Sequence, residues 1–312
     1  MNLQISSAIK SGFRDFKKNW ELTFLALPTI IYLFIFAYIP LYGLVLPFKD
    51  FKIKDGFFGS KWYGVENFKY LFSDMQKLFE ITRNTIGLNF LFIITGTTAT
   101  VILALLLHEM ERNAVKVYQT IMFFPYFISW VVVSFLVLTV FDMQNGALNN
   151  LMGLFGTQPI MWFHEPKYWP FILIGVNFWK GMGYSTVIYY AALMSVDPEY
   201  YEAARLDGAT RIQQAKHISI PMIMPMIIII FIMQMGRVLY SDFGMFYYVT
   251  QNQTLLYPTT DVIDTFVYRA MRDLGDFGMA SAANFYQSTL GFLLVLLSNF
   301  IVGKINSENK IF

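Results

Sequence analysis

The sequence predicts an all-α membrane protein with six transmembrane helices. Of its 312 residues, 56% are hydrophobic and only 14% are charged, where soluble domains carry about a quarter charged residues. Mean hydropathy is +0.47. Six apolar stretches reach the roughly 20 residues a helix needs to cross a hydrocarbon core about 30 Å thick: 22–48, 84–108, 119–141, 169–193, 220–240 and 284–304. Their runs are continuous rather than alternating, which excludes a β-barrel.

The N-terminal stretch 1–21 repeats Ile5, Ile9, Phe13, Phe16 and Trp20 at helical spacing, with Lys10, Arg14, Lys17 and Lys18 mostly on the other side. It suits either a helix lying in the headgroup region of an anionic leaflet or the basic flank of the first span. The first span is too long for a signal-peptide core and no small-residue cleavage pattern follows it, so it is read as retained. Six spans put both termini on one side, and a tail begins at 305. Lys and Arg nearly tie between the two sides, so charge alone does not orient the chain. The basic stretch ahead of the first span favours cytoplasmic termini.

Composition also excludes functions. A net charge of +2 invites no nucleic-acid partner. With no cysteine there are no disulfides and no thiolate sites. No GxxxxGK followed by Ser or Thr occurs, so the chain is not expected to bind ATP. The run His108-Glu109-Met110-Glu111-Arg112 starts like a zinc-protease helix but lacks the second His, so no metal or cofactor is expected on this chain. No carboxylate pair stands out as a glycosyltransferase centre. A secondary, ion-coupled transporter is the alternative to set against the reading below. It would need inverted repeats and buried acids, and neither is visible.

The loop between spans four and five, DPEYYEAARLDGATRIQQAKHISIP at 197–221, is the most informative segment. Asp197 is a good N-cap with Pro198 at the first helical position. Gly208 supplies a left-handed stop, and Thr210 with Gln213 forms a capping box for a second helix. Pro221 marks the start of span five. The first helix exposes Glu202, Ala203 and Ala204, where small side chains let a partner approach and Glu202 offers a charge for orientation. By composition alone a plain amphipathic connector is the preferred reading.

The segment resembles the EAA loop of ABC importer permeases: EAA, three residues, Gly, nine residues, Ile, one residue, Leu, Pro. Glu202, Ala203, Ala204, Gly208, Ile218 and Pro221 fall in register, with Ile220 in place of Leu. Residues 19–51, WYGVENF at 62–68 and GDFGMASAANFYQSTLGFLLVLLSN at 275–299 extend the resemblance to the LplB-related permeases of polysaccharide and oligosaccharide importers, found mainly in Gram-positive bacteria. The resemblance implies a type I ABC importer permease fold over 22–304. It implies an EAA loop gripped by an ATPase through Glu202, Ala203, Ala204 and Gly208, with Arg205 and Asp207 as neighbours. It also implies partners: a homologous second permease, two ATPase subunits holding ATP and Mg, an extracellular solute-binding lipoprotein and a carbohydrate.

Polar groups inside spans are costly and mark pathways. Span two holds Asn89. Span four holds Asn177, Trp179, Lys180 and Tyr184, and span five holds Gln234 and Arg237. Sugars present C–H faces and hydroxyls, which suit aromatic surfaces beside amides and charges. Asn177, Trp179, Tyr184, Gln234 and Arg237 are therefore the expected substrate path. As the alternative, such residues anchor helices at interfaces or join them together. In the outside loop 241–283, Val262, Ile263, Phe266, Val267, Ala270, Met271 and Leu274 predict a helix face stopped by Gly275. This helix either receives the binding protein or forms a structural lid.

Overall fold

A computed structural model describes residues 19–305. The expected N-terminal amphipathic stretch, up to residue 18, and the tail from 306 lie outside the described residues. Helix α1 (Trp20–Leu33) continues through a π turn at Phe34–Tyr38 and a 3-10 stretch at Ile39–Phe48. None of its α-helical residues is buried, and Phe24 and Leu25 are 69% and 75% exposed. A helix apolar all round belongs in apolar surroundings, and the other described residues do not supply them. Beyond it, β1 (Lys49–Asp50) pairs antiparallel with β2 (Lys61–Trp62), the one ladder among the described residues. Helix α2 (Glu66–Ser73) is pinned to the end of the first span by Asn67, whose Nδ2 donates to the carbonyls of Pro47 and Lys49.

Helix α3 (Met75–His108) begins nine residues before the predicted 84, because Asp74 caps it by accepting from the Lys77 N–H. At 34 residues it spans about 50 Å. The third predicted span, 119–141, is not one helix. Helix α4 (Arg112–Phe123) passes through a 3-10 turn at Phe124–Phe127 and then bends by 100° into α5 (Trp130–Phe141). Pro125 has no N–H to continue the helix, and the Ser129 side chain, accepting from Val132 N–H, starts a new one.

Helix α6 (Trp169–Met194) lies along α3. Trp169 and Leu173 pack with Leu88 and Phe92 at one end, and Tyr189 and Leu193 with Val101 and Ala104 at the other. Helix α7 (Pro198–Leu206) is the short helix of the connecting loop. The separate second helix expected there is instead the start of the next span. Helix α8 runs from Arg211 to Met235, with a π turn at Ala215–Ser219 just before Pro221, where the hydrogen-bond pattern has already changed. It stops at Met235, so Arg237, in a turn, and Tyr240, just past that turn, lie beyond the helix although expected inside the span.

Helix α9 (Ile263–Arg272) is the predicted loop helix, with Gly275 at φ +67° after it. Val262, Ile263 and Ala270 are buried, whereas Met271 and Leu274, expected on the apolar face, are exposed. Helix α10 (Phe277–Ile305) closes the described chain, and Ala283 joins Leu78, Ile81, Leu239 and Ile263 in a second core. Among the described residues, four stretches are long and apolar enough to cross a membrane: 20–48, 75–108, 211–235 and 277–297. The bent α4–α5 pair makes a fifth. Helix α6 has the length, at 26 residues, but Asn177 and Lys180 dilute its apolar character.

Candidate functional site

Helix α7 owes its shape to its ends. Asp197 accepts from the Glu199 N–H and Pro198 occupies the first turn. At the other end the Ala209 N–H reaches the Ala204 carbonyl at 2.9 Å and the Gly208 N–H reaches that of Arg205 at 3.1 Å. These two bonds form a Schellman stop, which needs a left-handed residue, and Gly208 sits at φ +76°. Thr210 and Gln213 then cap α8 reciprocally.

This capped helix is held from beneath and open above. Tyr201 is 7% exposed, with its hydroxyl 3.0 Å from Ser219 Oγ and its ring against that of His108. Gln214 is buried and donates to the Ala209 carbonyl. Arg211 pairs with Glu109 at the end of α3 at 2.7 Å. Glu202, Ala203, Arg205, Asp207 and Gly208 are exposed, Ala204 is half-buried and Leu206 is 90% exposed. The loop therefore presents backbone, small side chains and one bare leucine on a base bolted to α3 and α8. Beside it His108, Arg112, Tyr201, Glu202 and Arg205 line a hollow of about 300 Å³.

Deeper in the bundle, α3, α6 and α8 enclose a polar cavity of about 100 Å³. Asn177, Gly181, Ser185 and Tyr189 line it from α6, Thr97 and Thr100 from α3, and Gln234 from α8. Thr97 Oγ1, Tyr189 OH and Gln234 Oε1 are buried there with no hydrogen-bond partner among the described residues. Unpaired polar atoms at such depth are costly, so the cavity has free hydrogen-bonding capacity.

Residues 96–307 match the family of binding-protein-dependent transport system inner membrane components. The chain belongs to that family. It is similar, at 33% identity over 90% of its length and 87% of the relative's, to the polygalacturonan/rhamnogalacturonan transport system permease protein YteP of Bacillus subtilis strain 168. Protein LplB of the same organism is also 33% identical, over 94% of this chain and 91% of its own. A crystal structure of a bacterial ABC transporter that imports the acidic polysaccharide alginate superposes with a TM-score of 0.85. It is 32% identical and covers 94% of this chain and 99% of its own. The chain is thus a membrane permease component of an ABC transporter.

In this permease the residues expected on the substrate path fall in different places. Asn177 and Gln234 share the polar cavity. Trp179 packs against the apolar core around Trp169. Tyr184, 47% exposed, stacks on Tyr126 with centroids 5.2 Å apart. Arg237 is exposed after the end of α8. Sequence reasoning missed Thr97, Thr100, Ser185 and Tyr189. The last two were legible, because Asn177, Gly181, Ser185 and Tyr189 recur every four residues along one stripe of α6.

Tyr184 belongs to a second polar region of the permease, at the bend between α4 and α5. Lys180 reaches into the broken backbone and donates to the carbonyls of Tyr126 at 2.8 Å and Ile128 at 2.6 Å. Its ammonium also lies 5.1 Å from the Trp130 ring, and Trp130 Nε1 donates to Asp242 at 2.7 Å. Gly183 makes the close crossing possible: a Cβ there would come within 2.2 Å of the Met122 carbonyl oxygen.

Proposed function

We propose that the permease translocates oligosaccharides or polysaccharide fragments into the cell, driven by ATP hydrolysis on separate subunits. Its partners are a homologous second permease, two ATPase subunits that bind ATP and Mg, and an extracellular solute-binding lipoprotein. The single observation that carries this is the loop around α7, capped at both ends, anchored through Tyr201 and exposed from Glu202 to Gly208. A rigid, shallow, exposed helix of this kind suits a groove on a partner. Glu202, Ala203, Ala204, Arg205, Asp207 and Gly208 form the grip, and the bolts to α3 and α8 carry its displacement into the bundle as a rigid-body motion.

With α7 on the cytoplasmic side, both termini are cytoplasmic and α9 lies outside, facing the binding protein. The polar cavity with Asn177 and Gln234 and the aromatic pair Tyr126–Tyr184 supply amides, hydroxyls and ring faces suited to sugars. Trp179 and Arg237 complete the proposed path. The relatives point to a carbohydrate cargo and to a Gram-positive plasma membrane: two are Bacillus subtilis proteins, and one solved neighbour is an alginate transporter in complex with a pentasaccharide-bound periplasmic protein.

Uptake of labelled oligosaccharide by vesicles holding the reconstituted complex tests the proposal. Uptake should require ATP and the binding protein and be indifferent to an imposed ion gradient. Replacing Glu202 and Gly208 with bulky residues should abolish it. Uptake driven by an ion gradient without ATP would overturn the proposal.

A further inference from the structure

On the opposite side of the bundle from α7, the segment after α8 divides its side chains. Met245, Phe246 and Val249 turn into the core and are fully buried. Phe243, Tyr247 and Tyr248 turn the other way. Phe243 stacks on Tyr247 with centroids 5.0 Å apart and planes 20° apart. Tyr268 of α9 joins them, 4.6 Å from Phe243 and 5.1 Å from Tyr247. Tyr248 meets Tyr247 edge-on at 5.3 Å and is 40% exposed. One turn along α9, Arg272 lays its guanidinium 5.6 Å from the Tyr268 ring centroid and donates to its phenol oxygen. Arg272 is exposed and takes part in no ion pair among the described residues.

The core does not need these rings, since the same segment already fills it with Met245, Phe246 and Val249. They form a half-exposed aromatic shelf with phenol hydroxyls, and at its rim stands the Arg272 cation, beside Asp273 and in no ion pair among the described residues. The shelf is also continuous with the polar region at the bend. Asp242, next to Phe243, accepts from Trp130, which lies beside Lys180, and Lys180 reaches the Tyr126 carbonyl, whose ring stacks on Tyr184.

We propose that this shelf is an outer binding subsite for one uronate unit of an acidic oligosaccharide. The pyranose sits in the corner made by Tyr247 and Tyr268, whose planes stand 71° apart, with its C–H face on one ring, and its carboxylate takes the Arg272 guanidinium. Ring faces bind C–H surfaces and the edge of a sugar exposes hydroxyls to the phenols, so rings alone would serve any sugar. The guanidinium, which commits one donor to the Tyr268 phenol, is what selects a carboxylate, through charge-assisted bonds from its remaining N–H groups. This assignment rests on the importer role proposed for the chain, and deepens it by naming the sugar class.

The test uses the full transporter complex in lipid nanodiscs, without ATP or binding protein, with trigalacturonate and maltotriose as probes. Binding is read by saturation-transfer NMR. Trigalacturonate should bind the unaltered complex more tightly than maltotriose. Arg272→Gln should weaken trigalacturonate about tenfold, as expected for losing one charged hydrogen bond, and leave maltotriose unchanged. Tyr247→Leu with Tyr268→Leu should weaken both. If both sets of variants bind trigalacturonate like the parent, the rings are an interfacial aromatic belt and the subsite is overturned. Equal loss of both sugars on Arg272→Gln overturns the uronate assignment. ATP-dependent uptake by the unaltered complex is measured in parallel. Its presence alongside unaffected Arg272→Gln binding removes the subsite alone, while its absence removes the importer role.

Discussion

The Lys180 ammonium of α6 donates to the Ile128 carbonyl oxygen at 2.6 Å, which lies 52 residues earlier in the chain, in the break between α4 and α5. With the bond to Tyr126, it satisfies backbone that the 100° bend between α4 and α5 leaves without helical partners. Lys180→Met should therefore leave carbonyls unpaired and cost about 1–3 kcal/mol. The loss is read as a lower thermal midpoint of the purified permease in detergent. An unchanged midpoint would mean that Pro125 and Ser129 hold the bend unaided.

Tyr201 anchors the loop around α7 through its ring and, separately, through its hydroxyl bond to Ser219. Tyr201→Phe keeps the ring and should cost about 1 kcal/mol. Tyr201→Ala also empties a buried site and should cost about 3–5 kcal/mol. In the assembled transporter the alanine variant should hydrolyse more ATP per sugar imported. Parallel assays of phosphate release and uptake check this, and an unchanged ratio would show that the anchor carries no coupling.

Gly208 stops α7 in a left-handed conformation that a β-branched residue tolerates badly. Gly208→Val should impose about 1–3 kcal/mol of local strain and suppress uptake. Gly208→Asn should retain most uptake, because Asn adopts this conformation far more readily. No atom lies within 4 Å of a Cβ placed there, so crowding cannot produce the difference. Equal uptake by the two variants would place the loop's function elsewhere.

Asp264 on α9 accepts from the Ser241 N–H at 2.8 Å and from Gln287 Nε2 at 3.2 Å. Burial pushes its carboxyl above the ordinary aspartate range in spite of these bonds. A raised acid binds more protons folded than unfolded, so it loses stability as pH climbs from about 4 through its raised value. Asp264→Asn retains an acceptor oxygen and does not titrate. Its thermal midpoint should gain on the parent's between pH 5 and pH 8, and a gain that shrank over that interval would contradict the assignment.

Much of the loop around α7 was legible in the sequence, because each of its signals is local. Asp197, Pro198, Gly208, Thr210 and Gln213 act on backbone within a few residues of themselves, and all five do in the structure what their types suggest. The continuous α8 was not legible, since a π turn at 215–219 carries no fixed residue signature. The bend at 124–129 was masked by the apolar run around it. Hydropathy averages over Pro125 and Ser129, while backbone geometry does not. Arg237 fell outside its expected helix for a related reason: the apolar character of Val238 and Leu239 reflects burial in a turn, not helical continuation.

The sequence by itself determined that this is an all-α membrane chain with a short helix at 198–206 capped at both ends, because apolar run length and helix capping are properties of neighbours along the chain. Only the tertiary structure decided that Asn177, Tyr189, Thr97 and Gln234 share one cavity, that Lys180 braces a broken helix, and that Tyr247, Tyr268 and Arg272 form one shelf. These depend on which faces of separate helices meet. That is fixed by packing, and by close approaches such as Gly183 on the Met122 backbone, between residues far apart in sequence.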